Sequence, residues 1–328
     1  MLGPETSSVI EVPEITPREG EALLRVKMVG LCGTDLNTFR GRNAMVAFPR
    51  IPGHEVAAEV VSGKDEFTAG TMVTVSPYTS CGLCSSCRSG RPNACAHNET
   101  MGVQRDGAMQ EYISVPYARL YRAQLSLQEL ALVEPLTVGF HAAARGRVAA
   151  QDVAAVFGCG GVGLGAITAC ASRGAETIAI DMDDNKLAVA GRAGAKHLIN
   201  TAREDLHERL AKITSGYGPD VVVEAIGLPQ TFRAAVEEVA FTGRVVYIGY
   251  AKEPVSYETR LFVQKELDIM GSRNALPEDF REVITVLEAG RFPVKDAISA
   301  VIPIEETGSM LAAWSEAPGR FTKILVEL

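Results

Sequence analysis

No run of apolar residues in this 328-residue chain is long enough to cross a bilayer, so no helical membrane span is expected. The opening Met1-Leu2-Gly3-Pro4-Glu5 lacks the basic and apolar stretches of a secretory signal. Positive charge is in deficit: 32 Lys and Arg against 40 Asp and Glu give a net charge of −8. That balance argues against nonspecific attraction to nucleic acid or to an anionic membrane. There is no internal repeat and no low-complexity tract. What remains is an ordinary globular balance, 47% hydrophobic and 22% charged, long enough for two domains with a sizeable core. Cysteine is not lacking. Four of the seven crowd together, which fits a reducing compartment better than a disulfide framework, and cytoplasm is the expected location.

The first third reads as short strands broken by Gly and Pro. Strands are expected at Glu21–Val29, Val56–Val61 and Met72–Ser76, as in a small β-barrel or sandwich. The polar stretch 79–103 has little apolar periodicity and would wander unless something pinned it. From Val153 the pattern changes to strands alternating with helices. Strands are expected at Val153–Phe157, Thr177–Ile180, His197–Asn200, Asp220–Glu224, Arg244–Gly249 and Leu267–Met270. This predicts a parallel sheet with helices on both faces. The tail carries a helix at Glu278–Ala289 and strand-like runs at Ala300–Ile304 and Phe321–Glu327, a plausible return to the first domain.

Cys81, Cys84, Cys87 and Cys95 are separated by two, two and seven residues. Four thiolates at that spacing can close a tetrahedron around Zn²⁺ and leave no open position, so such a metal would be structural. Its task would be to order the polar lobe. The competing reading is free or disulfide-bonded cysteines. Cys159 and Cys170, outside any set, read as small packing residues.

Gly158-Cys159-Gly160-Gly161-Val162-Gly163 matches G-x-G-x-x-G directly after an expected strand and at the start of an expected helix. Gly158 permits the tight turn, Gly160 lets the backbone approach a pyrophosphate, and Gly163 lets helix and sheet pack closely. Asp181 ends the next strand, where a carboxylate can accept bonds from both ribose hydroxyls and would repel a 2′-phosphate. No Arg follows it directly, so NAD is favoured over NADP. The alternative is a similar domain that binds another adenosine cofactor, or none.

Cys32, His54 and Glu55 offer one S, one N and one O donor, the last two on a short turn after Pro52-Gly53. Three protein ligands leave a fourth position for water or substrate, as in catalytic zinc sites. Each residue alone would pass for a structural one. A closed metal site, an open metal site and a dinucleotide turn in one chain point towards hydride transfer.

These residues resemble the zinc-dependent medium-chain alcohol and polyol dehydrogenase family. The matching segments are Gly30-Leu31-Cys32-Gly33-Thr34-Asp35, Gly53-His54-Glu55, the four-cysteine lobe, Arg105-Asp106-Gly107-Ala108, Glu134-Pro135-Leu136, and the Gly158–Gly163 turn with Asp181. They cover essentially the whole chain, and Glu134 places it nearest the sorbitol, threonine and sugar-acid branch. The resemblance implies an α/β fold class: a GroES-like β-barrel catalytic domain at 1–134 with a zinc lobe at 79–103, a Rossmann doubly wound parallel-sheet domain at 135–271, and a returning tail at 272–328. It implies two zinc ions per subunit. Cys32, His54 and Glu55 would hold the catalytic one, with Glu134 as a fourth ligand or as the partner of a bound water. Thr34 would begin a proton relay. Many relatives continue that relay through a histidine where this chain has Asn37, which hydrogen-bonds but does not titrate near neutrality. Lys186 would be a second ribose contact, Gly161 and Val162 would belong with Gly158, Gly160 and Gly163 to the cofactor-binding turn at the phosphates, and Ile226, Ile248 and Gly249 would line the nicotinamide pocket.

The activity so implied is NAD-linked oxidation of a secondary alcohol on a polyol, sugar or sugar acid. Arg273 and Asn274 would reach substrate hydroxyls or a carboxylate, unless Arg273 only ties structure together. Arg105 reads as part of a turn that packs the barrel. The alternatives are an L-threonine-type or general alcohol dehydrogenase, or a non-catalytic NAD- and zinc-binding regulator. The expected partner is a small alcohol, with no nucleic acid and no membrane; the family's usual assembly is a homodimer or homotetramer.

Overall fold

The computed structural model describes residues 1–328. They divide into two compact units. Unit one comprises Met1–Pro135, Leu276–Glu288 and Val294–Leu328, and unit two comprises Leu136–Ala275 and Ala289–Pro293. No helix is long and apolar enough to cross a membrane.

In unit one, β1 (Glu21–Leu31), β2 (Glu55–Ser62), β3 (Met72–Val75), β4 (Tyr112–Pro116) and β5 (Leu120–Arg122) form most of a seven-stranded sheet. The strand-rich reading holds, and the sequence pattern missed β4 and β5, which are short and follow the polar stretch. Alternate residues of β1, among them Ala22, Leu24 and Val26, point into an apolar core with Val56, Ala58, Val60, Val73 and Val75. That period of two is what buries one face of a strand.

Unit two carries β6 (Val153–Phe157), β7 (Glu176–Asp181), β8 (His197–Asn200), β9 (Val221–Glu224), β10 (Arg244–Tyr247) and β11 (Asp268–Gly271). All six pair in parallel, in the order β11-β10-β9-β6-β7-β8. This is the doubly wound arrangement, with its strand order reversing between β6 and β9. Val222, Val245, Ala155 and Ile178 are fully buried in its core, as continuous apolar runs in a two-sided sheet require.

The tail supplies β12 (Ala300–Pro303) and β13 (Ile324–Glu327) to the sheet of unit one, in the order β12-β13-β1-β2-β3-β5. β13 runs antiparallel to β1, with Gly30 opposite Leu325 and Leu31 opposite Ile324. Around them Leu36, Phe39, Ile302, Leu311, Trp314 and Val326 form a second apolar cluster of unit one.

The helix Leu127–Arg145 was not legible in the sequence. It is apolar on most sides and contains Pro135, so it offers no amphipathic stripe and carries an apparent breaker. It matters because Glu134 sits within it.

Candidate active site

β1 ends at Leu31, and Cys32 begins the short helix Gly33–Phe39. Its sulfur does the work usually done by a serine or aspartate cap: it accepts from the Thr34 N–H at 3.2 Å. The Asp35 carboxylate reaches back to the Cys32 N–H at 3.0 Å. These two bonds form a capping box, which fixes the direction of the thiol. Thr34 and Asn37 are both half-buried in that helix.

His54 and Glu55 arrive from the other side. Gly53 takes φ +97, a left-handed conformation. That bend turns the chain into β2, whose first residue, Glu55, lies opposite Gly30 of β1. Segment Ile51–Gly53 is pinned by backbone bonds from Gly107, Ala108 and Met109 at 2.8, 2.9 and 3.0 Å. A Cβ on Gly107 would stand 2.3 Å from the Pro52 carbonyl oxygen, so the glycine of Arg105-Asp106-Gly107-Ala108 permits this close approach. Arg105 itself donates to the Pro77 carbonyl at 3.1 Å, and Asp106 accepts from Arg50 at 2.9 Å.

The ligand atoms of Cys32, His54 and Glu55 converge within 4.8 Å of one another. His54 Nε2 lies 3.1 Å from Cys32 Sγ. A tetrahedral Zn²⁺ bound by one sulfur and one imidazole would set that distance at roughly 3.5 Å, so a small outward adjustment admits the ion. Burial disfavours a charged His54 ring, but the Cys32 sulfur and then the Asp35 carboxylate outweigh it and push the ring well above the ordinary imidazole range. The pocket therefore draws in positive charge, which a divalent cation also supplies. The donor set fits such an ion.

Glu134 stands outside that convergent trio. The buried Tyr78 hydroxyl donates to its Oε1. Burial raises the Glu134 carboxyl above the usual carboxylate range, with His54 pulling the other way. Burial, followed by the neighbouring Glu134, holds the Tyr78 phenol well above its ordinary value. Tyr78 thus stays a donor. Nothing about Pro77-Tyr78 in the sequence marks it.

Lys323, just before β13, is a second residue that no motif in the sequence marks. Its Nζ lies 2.6 and 2.7 Å from the two Glu55 oxygens and 3.2 Å from the Leu31 carbonyl. A lone cation inside the apolar run from Phe321 to Val326 was the available signal. Gly30 makes room for the arrangement, since a Cβ there would sit 1.9 Å from Glu55 Oε2. Gly30→Ala is accordingly expected to dislodge the carboxylate, cost about 1–3 kcal/mol of stability, and lower metal retention. Thermal unfolding and zinc content measured on one preparation check this.

The four lobe cysteines also converge within 4.8 Å, and none is disulfide-bonded. Cys84 Sγ lies 3.5 Å from Cys87 Sγ and 3.8 Å from Cys95 Sγ. Sulfurs around tetrahedral zinc stand roughly 3.8 Å apart. The Ser86 hydroxyl and backbone N–H groups lower the Cys84 thiol to about 5, while burial and then the neighbouring sulfur raise Cys87 to about 11. Four thiols this close cannot all ionise without a cation between them. The short helix Ser85–Arg88 sets Cys84, its N-cap, and Cys87 in place, and the Cys84 N–H donates to the Cys81 sulfur at 3.3 Å.

In unit two, Gly158 follows β6 with φ +94, and Gly160 caps the helix Gly161–Ser172, which Val162 and Gly163 continue. A Cβ on Gly163 would stand 1.8 Å from the Gly158 carbonyl oxygen, whereas one on Gly160 would meet no atom within 4 Å. So Gly163 is there for packing, and Gly160 faces open space where a phosphate can approach. The fit to a dinucleotide is good. Asp181 closes β7 and accepts from Cys159, Met182 and Asp183 N–H groups at 2.8, 2.7 and 3.1 Å. Lys186 lies in the following helix, Asp184–Arg192.

Ile226 follows β9, and Ile248 and Gly249 follow β10. The Ile248 and Gly249 N–H groups both donate to the Glu224 carbonyl, at 2.9 and 3.1 Å. The Glu224 side chain, fully buried, accepts from Ile226 and Gly227 at 2.9 and 2.8 Å, so this one residue braces the first turn with its carboxylate and the second with its backbone carbonyl. Sequence reasoning had ended a strand at Glu224 without giving it this task. Arg273 is exposed and Asn274 takes φ 54, both after β11 in unit two.

Residues 18–124 match the alcohol dehydrogenase GroES-like domain, and residues 161–289 match the zinc-binding dehydrogenase domain. A zinc-type alcohol dehydrogenase-like protein of Haemophilus influenzae, itself uncharacterised, is 34% identical over 98% of this chain and 95% of its own. The chain belongs to the zinc-type medium-chain alcohol dehydrogenase family. The L-galactonate-5-dehydrogenase of Escherichia coli is 33% identical over 86% of this chain and 83% of its own. An alcohol dehydrogenase of Escherichia coli CFT073, solved with NADH, superposes with a TM-score of 0.91 at 27% identity, covering 99% of this chain and 97% of that one. As a zinc-type dehydrogenase the chain is an oxidoreductase, with the GroES-like and Rossmann architecture expected from its motifs.

Proposed function

We propose that this dehydrogenase oxidises a secondary alcohol of a sugar acid or polyol and passes the hydride to NAD. The observation that carries the reading is the buried convergence of Cys32, His54 and Glu55 in a chain that also holds an open glycine cradle followed by Asp181. The likeness to an L-galactonate-5-dehydrogenase supports a sugar acid as the substrate class.

In this reading Cys32, His54 and Glu55 hold a catalytic zinc and the four lobe cysteines a structural one. The bound ion supplies Lewis-acid polarisation of the substrate hydroxyl. Thr34 takes the hydroxyl proton. Asn37 accepts or donates a hydrogen bond but carries no proton onward, so the exit runs through water or another group. Glu134, anchored by Tyr78, serves as the fourth donor or orients a water. The N–H groups at Gly161 and Val162 bind the pyrophosphate, Asp181 and Lys186 bind the ribose, and the turns at Ile226, Ile248 and Gly249 present backbone groups to the nicotinamide. Arg273 and Asn274 contact the carboxylate or hydroxyls of the substrate. The chain works as a homodimer or homotetramer on a small alcohol.

A panel of aldonates, polyols, aldoses and L-threonine, assayed with NAD and with NADP, tests this. The reading requires NAD reduction by an aldonate or polyol. It fails if no member reduces either nucleotide while the zinc-loaded protein still binds NADH. The nucleotide choice has its own test. Asp181→Asn removes the charge that repels a 2′-phosphate and weakens the bonds to the ribose hydroxyls. The ratio of kcat/KM for NAD over NADP should fall about 100-fold, roughly one charge-assisted bond plus the lost repulsion.

A further inference from the structure

Lys323 is buried with 5% of its side chain exposed, and its ion-pair partner Glu55 with 1%. An ammonium has three donors. Here they go to the two oxygens of Glu55 and to the carbonyl of Leu31, the residue before Cys32. Every donor of this lysine is therefore spent on the frame of the Cys32–His54–Glu55 trio. A plain structural tie between β13 and β1 would not need a buried charge, because the strands already pair backbone to backbone from Met28 to Leu31. A buried ion pair is also a poor stabiliser beside an apolar pair of similar size.

The pair has a clear electrostatic consequence. A thiolate and a carboxylate together neutralise a divalent ion. With the Glu55 charge already matched by an ammonium, the same ion is less fully neutralised and keeps more of its positive charge to polarise a ligand. A carboxylate whose two oxygens are engaged at 2.6 and 2.7 Å is also a weakened donor to any metal.

We propose that Lys323 is a positioning residue that competes with the catalytic metal for Glu55, loosening the carboxylate's hold and keeping the site electrophilic. This rests on the reading that Cys32 and His54 hold a divalent ion. A lysine with a purely structural role predicts that its loss weakens metal binding or leaves it unchanged. Competition predicts the opposite sign.

The test is zinc affinity at this site by chelator competition, with the full-length protein and its lobe site filled. The absorption spectrum of the Co²⁺-substituted site is recorded alongside. In Lys323→Met the zinc Kd should fall at least about tenfold, the Co²⁺ bands should change, and turnover should drop. Adding Glu55→Gln to that variant should abolish the tightening, because the effect passes through the carboxylate. Lys323→Gln keeps a donor for the Leu31 carbonyl and should tighten zinc at least about threefold, so it serves where the methionine variant does not fold. An unchanged or raised Kd in the single variants overturns the proposal while leaving the metal reading intact. A wild-type protein that binds no second metal overturns both.

Discussion

His54→Ala lowers kcat/KM at least about 10³-fold while the affinity for NADH stays within about twofold. The size follows from what the imidazole contributes. It is one of three donors that converge within 4.8 Å, and it is buried. Losing a ligand of a catalytic ion removes charge stabilisation worth several kcal/mol at the reacting oxygen, and each 1.4 kcal/mol is a factor of ten. The nucleotide cradle lies in unit two, built from β6, β7 and the turn between Gly158 and Gly163, and shares no residue with His54. Steady-state kinetics beside NADH fluorescence titration separate the two effects. A parallel loss of NADH binding would mean the variant had unfolded rather than lost its metal.

Cys95→Ala should remove one zinc per chain and free the segment from Thr79 to Val103 for proteolysis. Cys95 is fully buried, and its sulfur accepts from the Cys81 and His97 N–H groups at 3.3 Å each. The lobe holds only a short helix at Ser85–Arg88 and a 3-10 turn at Pro92–Ala94, with no residue of the first buried. From Thr79 to Ala94 only Asn93 is buried, so that stretch cannot hold itself by burial. Structural zinc in small sites contributes about 10–16 kcal/mol of folding free energy, and three remaining thiolates retain only part of it. Limited proteolysis with mass spectrometry should place new cuts between Thr79 and Val103. Unchanged cleavage at one zinc per chain would show that the lobe is ordered by something else.

Much of this architecture could be read from residue order alone, for physical reasons that also explain the gaps. The parallel strands were legible because two-sided burial writes them as unbroken apolar runs such as Val153–Phe157 and Val221–Val223. The lobe and the glycine turn were legible because metal closure and phosphate approach demand fixed spacings. The helix Leu127–Arg145 was hidden by its uniform apolarity and Pro135. Tyr78, Lys323 and Glu224 were hidden for a different reason. Each acts by bracing another functional group across 56, 268 or only a few residues of sequence, and no local pattern records such a pairing. Gly30 lay in plain view within a recognised motif. Its purpose, space for Glu55 on the neighbouring strand, needed the β1–β2 register.

The most direct measurement follows metal content and turnover together as the protein is stripped with a chelator and then reloaded. Two zinc ions per fully loaded chain are expected. Turnover should fall in step with loss of the ion at Cys32 and His54, NADH binding should persist, and zinc or cobalt should restore the activity. Full turnover by protein with nothing bound at Cys32 and His54 would contradict a catalytic role for that ion.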